Sequence, residues 1–258
     1  MVCHGRQKER RTLRSIVVTF ALPAEFAAWR SQRKFEKTPE PLVCIARVGD
    51  VEIDAVMTGV ACRSGDRQLR NLLDHSDLCI ASGLAGGLRP EYSVGSVVVA
   101  EQVTSARTDS VIVGDPKLID IARRCGATPV ARFVTCSKII NSPVEKRELS
   151  KAADVVDMES FHILRLAHES GVPAVAVRAI SDSSASEIPF DFNKYIDAAG
   201  NIASVRAAFA IVKAPHKIPK LIEFGRQSSQ AARNLSHFLD GYVKVLMNEL
   251  SNGSGHRT

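Results

Sequence analysis

Residues 155–184 read VVDMESFHILRLAHESGVPAVAVRAISDSS, and this stretch decides the fold class. Its first apolar run predicts a short strand. The helical pattern that follows predicts a helix over Glu159–Ser170, ended by Gly171 with Pro173 beyond it. The continuous run Ala174–Ile180 predicts a strand buried on both faces. A strand, a helix and a second strand in this order are typical of an α/β fold with a largely parallel sheet.

The same alternation continues toward the N-terminus. Further strands are predicted at Ser15–Ala21, Leu42–Val48, Val51–Thr58, Asp77–Ser82, Ser96–Val103, Arg132–Cys136 and Asp154–Asp157, and helices from Pro23, over Gly65–Asp74 and over Pro116–Cys125. We therefore predict an α/β fold: a single domain, residues 15–200, with a mixed central β-sheet flanked by helices.

Composition excludes several classes of protein. The chain has 258 residues, of which 45% are hydrophobic and 24% charged, so it can bury a real core. No apolar run approaches the ~20 residues of a membrane-spanning helix. The short run Ile16–Ala21 lacks a cleavage site, so we predict a strand there, no signal peptide and a cytoplasmic protein. Six scattered cysteines argue against a disulfide framework.

Basic residues are concentrated at the N-terminus. The net charge is +6, and much of the excess lies in residues 1–14, which we predict to be a basic flexible tail. The remaining chain is close to balanced, so charge alone does not predict nucleic-acid binding. A nucleic-acid binder stays an alternative that depends on the tail alone.

The C-terminal region has a different pattern. Residues 201–250 predict a helical extension: a helix from Asn201, a proline-bounded link at residues 214–219 and a long helix from Leu221 to about Leu250. Residues 251–258 predict a disordered tail. Apolar residues form one face of the long helix, at Leu221, Phe224, Ala232, Leu235, Phe238, Leu239, Tyr242 and Leu246. We expect this face to pack on the domain or on a second subunit of a homodimer or higher homo-oligomer. The alternative is a peripheral membrane contact.

Three chemically unusual segments follow predicted strands: ALPAEF (residues 21–26), SGLAGGL (82–88) and ISDSS (180–184). Ligands of α/β sheets bind at the carboxyl ends of strands, so these segments predict the site. From the residues alone, Glu159 and Asp182 either cap backbone amides or face a ligand. Gly86 and Gly87 either let a ligand approach the backbone or form a tight left-handed turn.

Four motifs, in order, resemble the nucleoside phosphorylase superfamily, in the branch that contains uridine phosphorylase, bacterial hexameric purine nucleoside phosphorylase and methylthioadenosine/adenosylhomocysteine nucleosidase. They are ALPAEF, GLAGGLRPEYSVGSVVVAEQV (83–103), VDMES (156–160) and RAISD (178–182). The resemblance implies a nucleoside-phosphorylase-like fold. It also implies cleavage of the bond between ribose and a base, through a transition state with positive charge on the ribose.

The resemblance also implies residue roles. Asp182 is expected to act as the acid on purine N7, Glu159 to accept hydrogen bonds from ribose hydroxyls, and Met158 to pack against the sugar. Further substrate contacts are expected at Ala85, Gly86, Ser181, Ile139 and Ile140. The pair Ile139–Ile140 stands where the nucleosidases have Phe–Ile, so the base pocket stays apolar but loses its aromatic face.

The same resemblance favours hydrolysis over phosphorolysis. The phosphorylases bind phosphate with an Arg and a Ser or Thr, and those positions are Ala81 and Leu84 here. Glu25 matches the nucleosidase glutamate that activates water, and a helix-dipole role is its alternative. Leu84 departs from the nucleosidase serine too, and phosphate contacts from Arg47, Arg63 or Arg89 stay open.

We therefore predict hydrolysis of a purine-type, 5′-substituted adenosine-like nucleoside, with no metal, no cofactor and no nucleic-acid partner. The first alternative is a phosphorylase, with phosphate as co-substrate, acting on a hopanoid-linked or other bulky adenosine. This alternative is based on the segment DAAGN (197–201) and the helices predicted after it, which resemble the tail of the hopanoid-associated phosphorylases. The second is a non-catalytic nucleoside-binding module.

Overall fold

The computed structural model describes residues 13–202 and 215–251. Within them the strands are β1 (Ser15–Phe20), β2 (Glu36–Lys37), β3 (Val43–Val48), β4 (Val51–Met57), β5 (Leu78–Ala81), β6 (Leu84–Gly87), β7 (Val97–Ser105), β8 (Thr108–Val113), β9 (Thr128–Thr135), β10 (Val155–Asp157) and β11 (Ala174–Asp182). The α-helices are α1 (Pro23–Arg33), α2 (Asp66–Leu73), α3 (Pro116–Arg124), α4 (Pro143–Leu149), α5 (Ser160–Glu169) and α6 (Ile218–Ser251), and short 3₁₀ turns occupy Val60–Cys62, Phe192–Tyr195 and Pro215–Lys217.

The strands form one mixed sheet in the order β2-β3-β4-β1-β5-β11-β6-β10-β9-β7-β8. Strand β11 pairs not only with β5 and β6 but also, antiparallel, with β7. Strands β11, β6, β10, β9 and β7 therefore close into a ring, which leaves β1–β5 as an open extension of it. The predicted α/β domain with a mixed central sheet is confirmed, while the ring closure was not predicted.

Strand β1 lies at the centre of the open part of the sheet. It runs parallel to β4 on one side and to β5 on the other. Ile16, Val17 and Val18 are fully buried, as the continuous apolar run predicts. The chain then turns into α1, which begins at Pro23, a residue well suited to a first helical turn because that position needs no N–H donor. This turn places Glu25 just beyond the carboxyl end of β1.

Helix α6 lies across the sheet and belongs to the main hydrophobic core. Six of its eight predicted apolar residues are buried, and Leu221 and Phe224 are half-buried. The hydroxyl of Tyr242 donates to the carbonyl of Leu118 in α3 at 2.8 Å. At ~25 cal/mol per Å² of apolar surface, this packing contributes several kcal/mol before conformational entropy is counted. The apolar face of the extension thus packs on the domain itself.

Several expectations differ from the structure or lie outside it. Strand β8 and helix α4 were not predicted, and Gly86 and Gly87 lie in the extended strand β6, so the left-handed turn considered as an alternative for them is wrong.

Three predicted segments lie mostly or wholly outside the described residues: the basic tail, the helix expected from Asn201 and residues 252–258. The described cysteines are all free. Among the described helices, none is long and apolar enough to cross a membrane.

Candidate active site

A cavity of about 500 Å³ opens at the carboxyl ends of β1, β10 and β11. Its walls include all nine site residues predicted from the sequence: Glu25, Ala85, Gly86, Ile139, Ile140, Met158, Glu159, Ser181 and Asp182. These residues come from five separate segments of the chain. The fold therefore brings the predicted site together as one pocket.

Glu25 lies in the first turn of α1 and is 7% exposed. Its Oε2 accepts hydrogen bonds from the backbone N–H groups of Ala21 (2.8 Å) and Leu22 (3.1 Å), and its Oε1 accepts one from Leu84 (3.0 Å). Burial raises the pKa of Glu25, and the nearby Arg178 and the three N–H donors oppose this rise. The carboxyl group is thus fixed at the cavity wall, and its pKa lies above the ordinary value of a glutamate.

Arg178 is fully buried behind the cavity and links two carboxylates. Its Nη2 lies 2.8 Å from Asp157 Oδ2 and 3.5 Å from Glu159 Oε2, while Nη1 donates to the carbonyl of Ser82 at 3.0 Å. Both Nε and Nη2 also contact the hydroxyl of Ser160. The guanidinium group therefore has its charge and its donors satisfied by the protein, as a buried arginine requires.

Gly83 shows how closely these groups pack. Its φ is 142°, and a Cβ atom there would lie 2.3 Å from Arg178 Nη1 and 3.2 Å from Glu25 Oε2. No side chain fits without moving one of these charged groups. Glycine is therefore required at this position by space as well as by backbone conformation.

Glu159 immediately precedes α5 and faces the cavity. Its Oε1 accepts a 2.9 Å hydrogen bond from the N–H of Ala61. Ala61 and Cys62 have left-handed backbone, with φ of 57° and 53°, a strained arrangement that turns this N–H toward the carboxylate. Burial raises the pKa of Glu159, an effect that Arg178 opposes and that the nearby carboxyls reinforce.

Asp182 ends β11 beside a β-bulge. The register places Ile180 opposite Ala85 and Asp182 opposite Gly86, which leaves Ser181 as the extra residue. This bulge breaks the alternation of the strand, so that Ser181 and Asp182 both line the cavity. The hydroxyl of Ser181 lies 2.7 Å from Asp182 Oδ1 and 3.2 Å from the carbonyl of Ala85. The other oxygen, Oδ2, contacts Nζ of Lys146.

The apolar wall beside Asp182 is held by a loop that follows β11. Asn193 pairs with the backbone of Ile139: its Oδ1 accepts from the N–H at 2.7 Å, and its Nδ2 donates to the carbonyl at 3.0 Å. Within the described residues, the N–H and C=O of the buried Ile140 have no hydrogen-bond partner. These two groups are available to a ligand that offers an adjacent acceptor and donor.

Helix α6 supplies the remaining wall, which sequence reasoning did not assign to the site. The contributing residues are Leu221, Phe224, Gly225, Ser228, Ser229 and Ala232. The ring of Phe224 stacks on Phe192 at 5.9 Å between centroids. The C-terminal extension is therefore part of the cavity and gives it a mostly apolar side.

The family model described as "Phosphorylase superfamily" matches residues 15–214, more than half of the chain and all but the last segment of the pocket. The chain belongs to the phosphorylase superfamily. The predicted nucleoside-phosphorylase resemblance is thereby confirmed at the level of the superfamily, and the hopanoid-associated subgroup stays a prediction.

Curated members of the superfamily that resemble this chain include two 5′-methylthioadenosine/S-adenosylhomocysteine nucleosidases. The one from Chromohalobacter salexigens is 27% identical over 175 residues, which cover 58% of this chain and 74% of that protein. The one from Shewanella halifaxensis is 26% identical over 149 residues, which cover 48% of this chain and 65% of that protein.

Solved structures of the superfamily share the fold. That of the Helicobacter pylori 5′-methylthioadenosine/S-adenosyl homocysteine nucleosidase has a TM-score of 0.69 at 16% identity and covers 92% of this chain and 100% of its own. Futalosine hydrolase of Helicobacter pylori has a TM-score of 0.70 at 16% identity, with coverage of 91% and 99%. At these identities the likeness establishes the fold.

The three arginines considered as phosphate ligands, Arg47, Arg63 and Arg89, do not line the cavity. Arg47 pairs with Glu52 at 3.0 Å, Arg63 donates to the carbonyl of Asp197, and Arg89 is engaged in an ion pair with Asp154. The prediction that one of them contacts phosphate is therefore not supported by their positions.

Proposed function

We propose that this protein hydrolyses the N-glycosidic bond of a 5′-substituted, adenosine-like nucleoside and releases the free base. The observation that carries the proposal is that Glu25, Glu159 and Asp182 line one cavity with no unpaired guanidinium group beside them, among the residues described. The nucleosidase names of the curated relatives support it.

In this mechanism Glu25 activates the nucleophile. A water molecule next to its carboxylate attacks C1′ of the ribose and passes a proton to Glu25, whose raised pKa makes it a stronger base than an ordinary glutamate. The three backbone N–H donors fix the carboxylate so that the water is held in one orientation. Positioning of this kind contributes to catalysis because little reorganisation is needed during the reaction.

Asp182 acts on the leaving base. As the C1′–N bond breaks, its electron pair moves into the base, and the proton of the Asp182 carboxyl moves to purine N7. The unpaired N–H and C=O of Ile140 match an adjacent ring nitrogen and amino group, a pattern that adenine offers. Ile139, Met158 and Val156 supply apolar surface for the ring and the sugar.

Glu159 is suited to hold the ribose. One of its carboxylate oxygens is fixed by Ala61, and the cluster with Arg178 fixes the side chain as a whole. A carboxylate held at the cavity wall accepts hydrogen bonds from ribose hydroxyls. It also faces the positive charge that develops on the sugar in the transition state.

Phosphorolysis is the second candidate, and electrostatics disfavour it. Four carboxyl groups, those of Glu25, Asp157, Glu159 and Asp182, line the cavity. The buried cations next to them, Arg178 and Lys146, are already paired with these carboxyls. A phosphate dianion would enter a site without a free bidentate partner, whereas a neutral water molecule has no such cost.

The experiment that tests the proposal measures release of free base from adenosine, 5′-methylthioadenosine and 5′-alkyl analogues, with and without phosphate. We expect base release without phosphate and free ribose derivatives as the second product. Asp182→Asn is the inactive control. A requirement for phosphate, with a sugar 1-phosphate as product, would establish the phosphorylase instead. Nucleoside binding without any turnover would establish the non-catalytic module.

The finer predictions about the substituent and partners extend this proposal. The apolar wall from α6 favours an apolar 5′-substituent, and a hopanoid-linked one stays a prediction that the longer analogues test. A homo-oligomer, a cytoplasmic location and a peripheral membrane contact also stay predictions. Liposome flotation addresses the last of these, and Ile218 and Ile222, which are 38% and 67% exposed on α6, are apolar residues available for it.

A further inference from the structure

Lys146 lies in the middle of α4 and is fully buried. Its Nζ contacts Asp182 Oδ2 and donates to the carbonyl oxygens of Ser183 at 2.6 Å and Ser186 at 3.3 Å. These three partners match the three N–H bonds of an ammonium group. A buried lysine is uncommon. All three N–H donors of Lys146 are directed at the end of β11 and the turn after it, which indicates a specific role at this place.

Among the described residues, Lys146 is the one cation in an ion pair with Asp182. The other charged side chains of the cavity are engaged elsewhere. Asp157 and Glu159 share Arg178, and Glu25 lies next to the same guanidinium group. From α4 and the loop before it, Glu145, which is half-buried, pairs with the exposed Lys138. The electrostatic environment of the Asp182 carboxyl is therefore set mainly by Lys146.

We propose that Lys146 is a positioning residue for Asp182, which it orients and whose negative charge it stabilises as the proton leaves for the base. This inference rests on the proposed function. Before proton transfer Asp182 is neutral and interacts with the ammonium group only as a dipole. After transfer it is a carboxylate in contact with a fixed positive charge. The attraction is thus stronger in the transition state than in the ground state, which is the condition for acceleration.

The proton balance is simple. The proton on the Asp182 carboxyl moves to the base nitrogen while the C1′–N electron pair moves into the base. Lys146 keeps its own three protons throughout. Asp182 then regains a proton from solvent when the base leaves and the cavity opens to water.

A purely structural role would look different. In that case Lys146 would only tie α4 to the turn at Ser183–Ser186, and the loss of its charge would lower stability and slow the reaction of every substrate alike. Lys146→Met removes both charge and hydrogen bonds at similar length, whereas Lys146→Gln removes the charge and keeps N–H donors on a shorter side chain. Lys151→Met is the matched control, because Lys151 lies just beyond α4, is exposed, pairs with Glu148 and does not line the cavity.

The test compares kcat and KM of these variants in the full chain on two substrates, an adenosine-like nucleoside and a nitrophenyl riboside, whose leaving group needs no protonation. Because Lys146 is proposed to act through Asp182, its loss should slow the nucleoside and affect the nitrophenyl riboside much less. On the nucleoside we expect kcat to drop ~10-fold or more with KM changed by less than ~3-fold. Lys151→Met should change neither quantity on either substrate.

Unchanged kcat in both Lys146 variants, or an equal loss on the nucleoside and the nitrophenyl riboside, would overturn the inference. A carbon-13 NMR spectrum of the Asp182 carboxyl reports on its contact with Lys146 without turnover. If the wild-type protein releases no base, the proposed function fails. The inference about Lys146 is then decided by whether the Asp182 carboxyl signal changes its chemical shift in Lys146→Gln and stays in place in Lys151→Met. If Lys146→Met does not fold, Lys146→Gln carries the test.

Discussion

The backbone N–H of Leu84 donates a 3.0 Å hydrogen bond to Oε1 of Glu25, a residue 59 positions earlier in the chain. The main chain makes this contact, so it does not depend on which side chain occupies position 84. The departure of Leu84 from the serine of the nucleosidases therefore leaves the support of Glu25 intact. The bond also ties the start of β6 to the first turn of α1, and so joins two walls of the cavity.

Glu25→Gln is predicted to abolish most of the activity. An amide keeps the size of the side chain but cannot accept the proton of the attacking water, so kcat should fall by ~10²-fold or more. In the wild-type protein the raised pKa of Glu25 predicts that activity increases with pH over a range above the ordinary titration of glutamate, because the ionised form is the base. Glu36→Gln, on the exposed strand β2, is the matched control. Normal turnover by Glu25→Gln would exclude it as the base.

Asp182→Asn is predicted to lower base release by ~10²-fold or more, because an amide has no acidic proton for N7. A substrate whose leaving group needs no protonation, such as a nitrophenyl riboside, should be affected much less. Measuring the two substrates side by side separates loss of the acid from general damage to the site. Equal losses on both would indicate a structural role for Asp182.

Glu159 is predicted to discriminate between ribose and 2′-deoxyribose. When one hydroxyl is missing, a buried carboxylate oxygen loses its partner, so the deoxy substrate should react ~10-fold more slowly or worse. In Glu159→Gln the ratio of the two rates should shrink. A wild-type protein that handles both sugars equally would contradict the assignment.

Gly83→Ala is predicted to lower activity and stability together, because its Cβ would collide with Arg178 and crowd Glu25. Gly241 offers the control. It lies in α6 with open space around its Cα, and Gly241→Ala should raise the free energy of unfolding by about 0.5–1 kcal/mol through helix propensity. The thermal unfolding temperature should therefore fall in Gly83→Ala and rise in Gly241→Ala. Base release should fall in Gly83→Ala and stay unchanged in Gly241→Ala.

Asp54 is predicted to make stability depend on pH. Burial in β4, with Glu52 nearby, raises its pKa from 3.8 to about 6. As pH rises through this window the unfolded chain loses its proton before the folded protein does, so folding becomes less favourable and the full cost is present above the folded-state pKa. Asp54→Asn should thus raise the free energy of unfolding by about 3 kcal/mol at slightly alkaline pH and by little near pH 4.

Urea denaturation at the two pH values checks this prediction. Asp109→Asn, on the exposed strand β8, should show no difference between them. A gain for Asp54→Asn that is equal at both pH values would show that the ionisation of Asp54 is not its cause.

Segments that bury a long apolar run or end at glycine or proline could be predicted from the sequence. Strand β1, the β3–β4 hairpin, α5 and β11 are examples, since each carries its own pattern. Strand β8 could not, because most of its residues are exposed and nothing in its pattern separates it from a loop. Helix α4 could not either, because Lys146 is its one buried residue and no apolar face exists to detect.

The candidate site likewise contains residues that could be predicted from the sequence and residues that could not. Glu25 and Asp182 could be predicted because they stand directly after apolar strands, where α/β folds bind ligands. Arg178 and Asp157 were overlooked, although a charged residue within the apolar runs AVAVRAI and VVD is itself a signal that a partner must be found. The wall from α6 depends on a contact between distant parts of the chain, which no local pattern contains.

That wall has a consequence for the synthesis of the protein. A ribosome makes β1, the glycine segment and β11 well before α6, so a nascent chain can assemble its carboxylates while the cavity still lacks the side formed by Leu221–Ala232. The core is incomplete at that stage as well, because Leu235, Leu239 and Leu246 have not yet covered the sheet. Catalytic competence and global stability therefore arrive together, late in translation. A chain released early would carry every candidate catalytic residue and still expose an uncovered apolar surface to the chaperones and proteases of the cell.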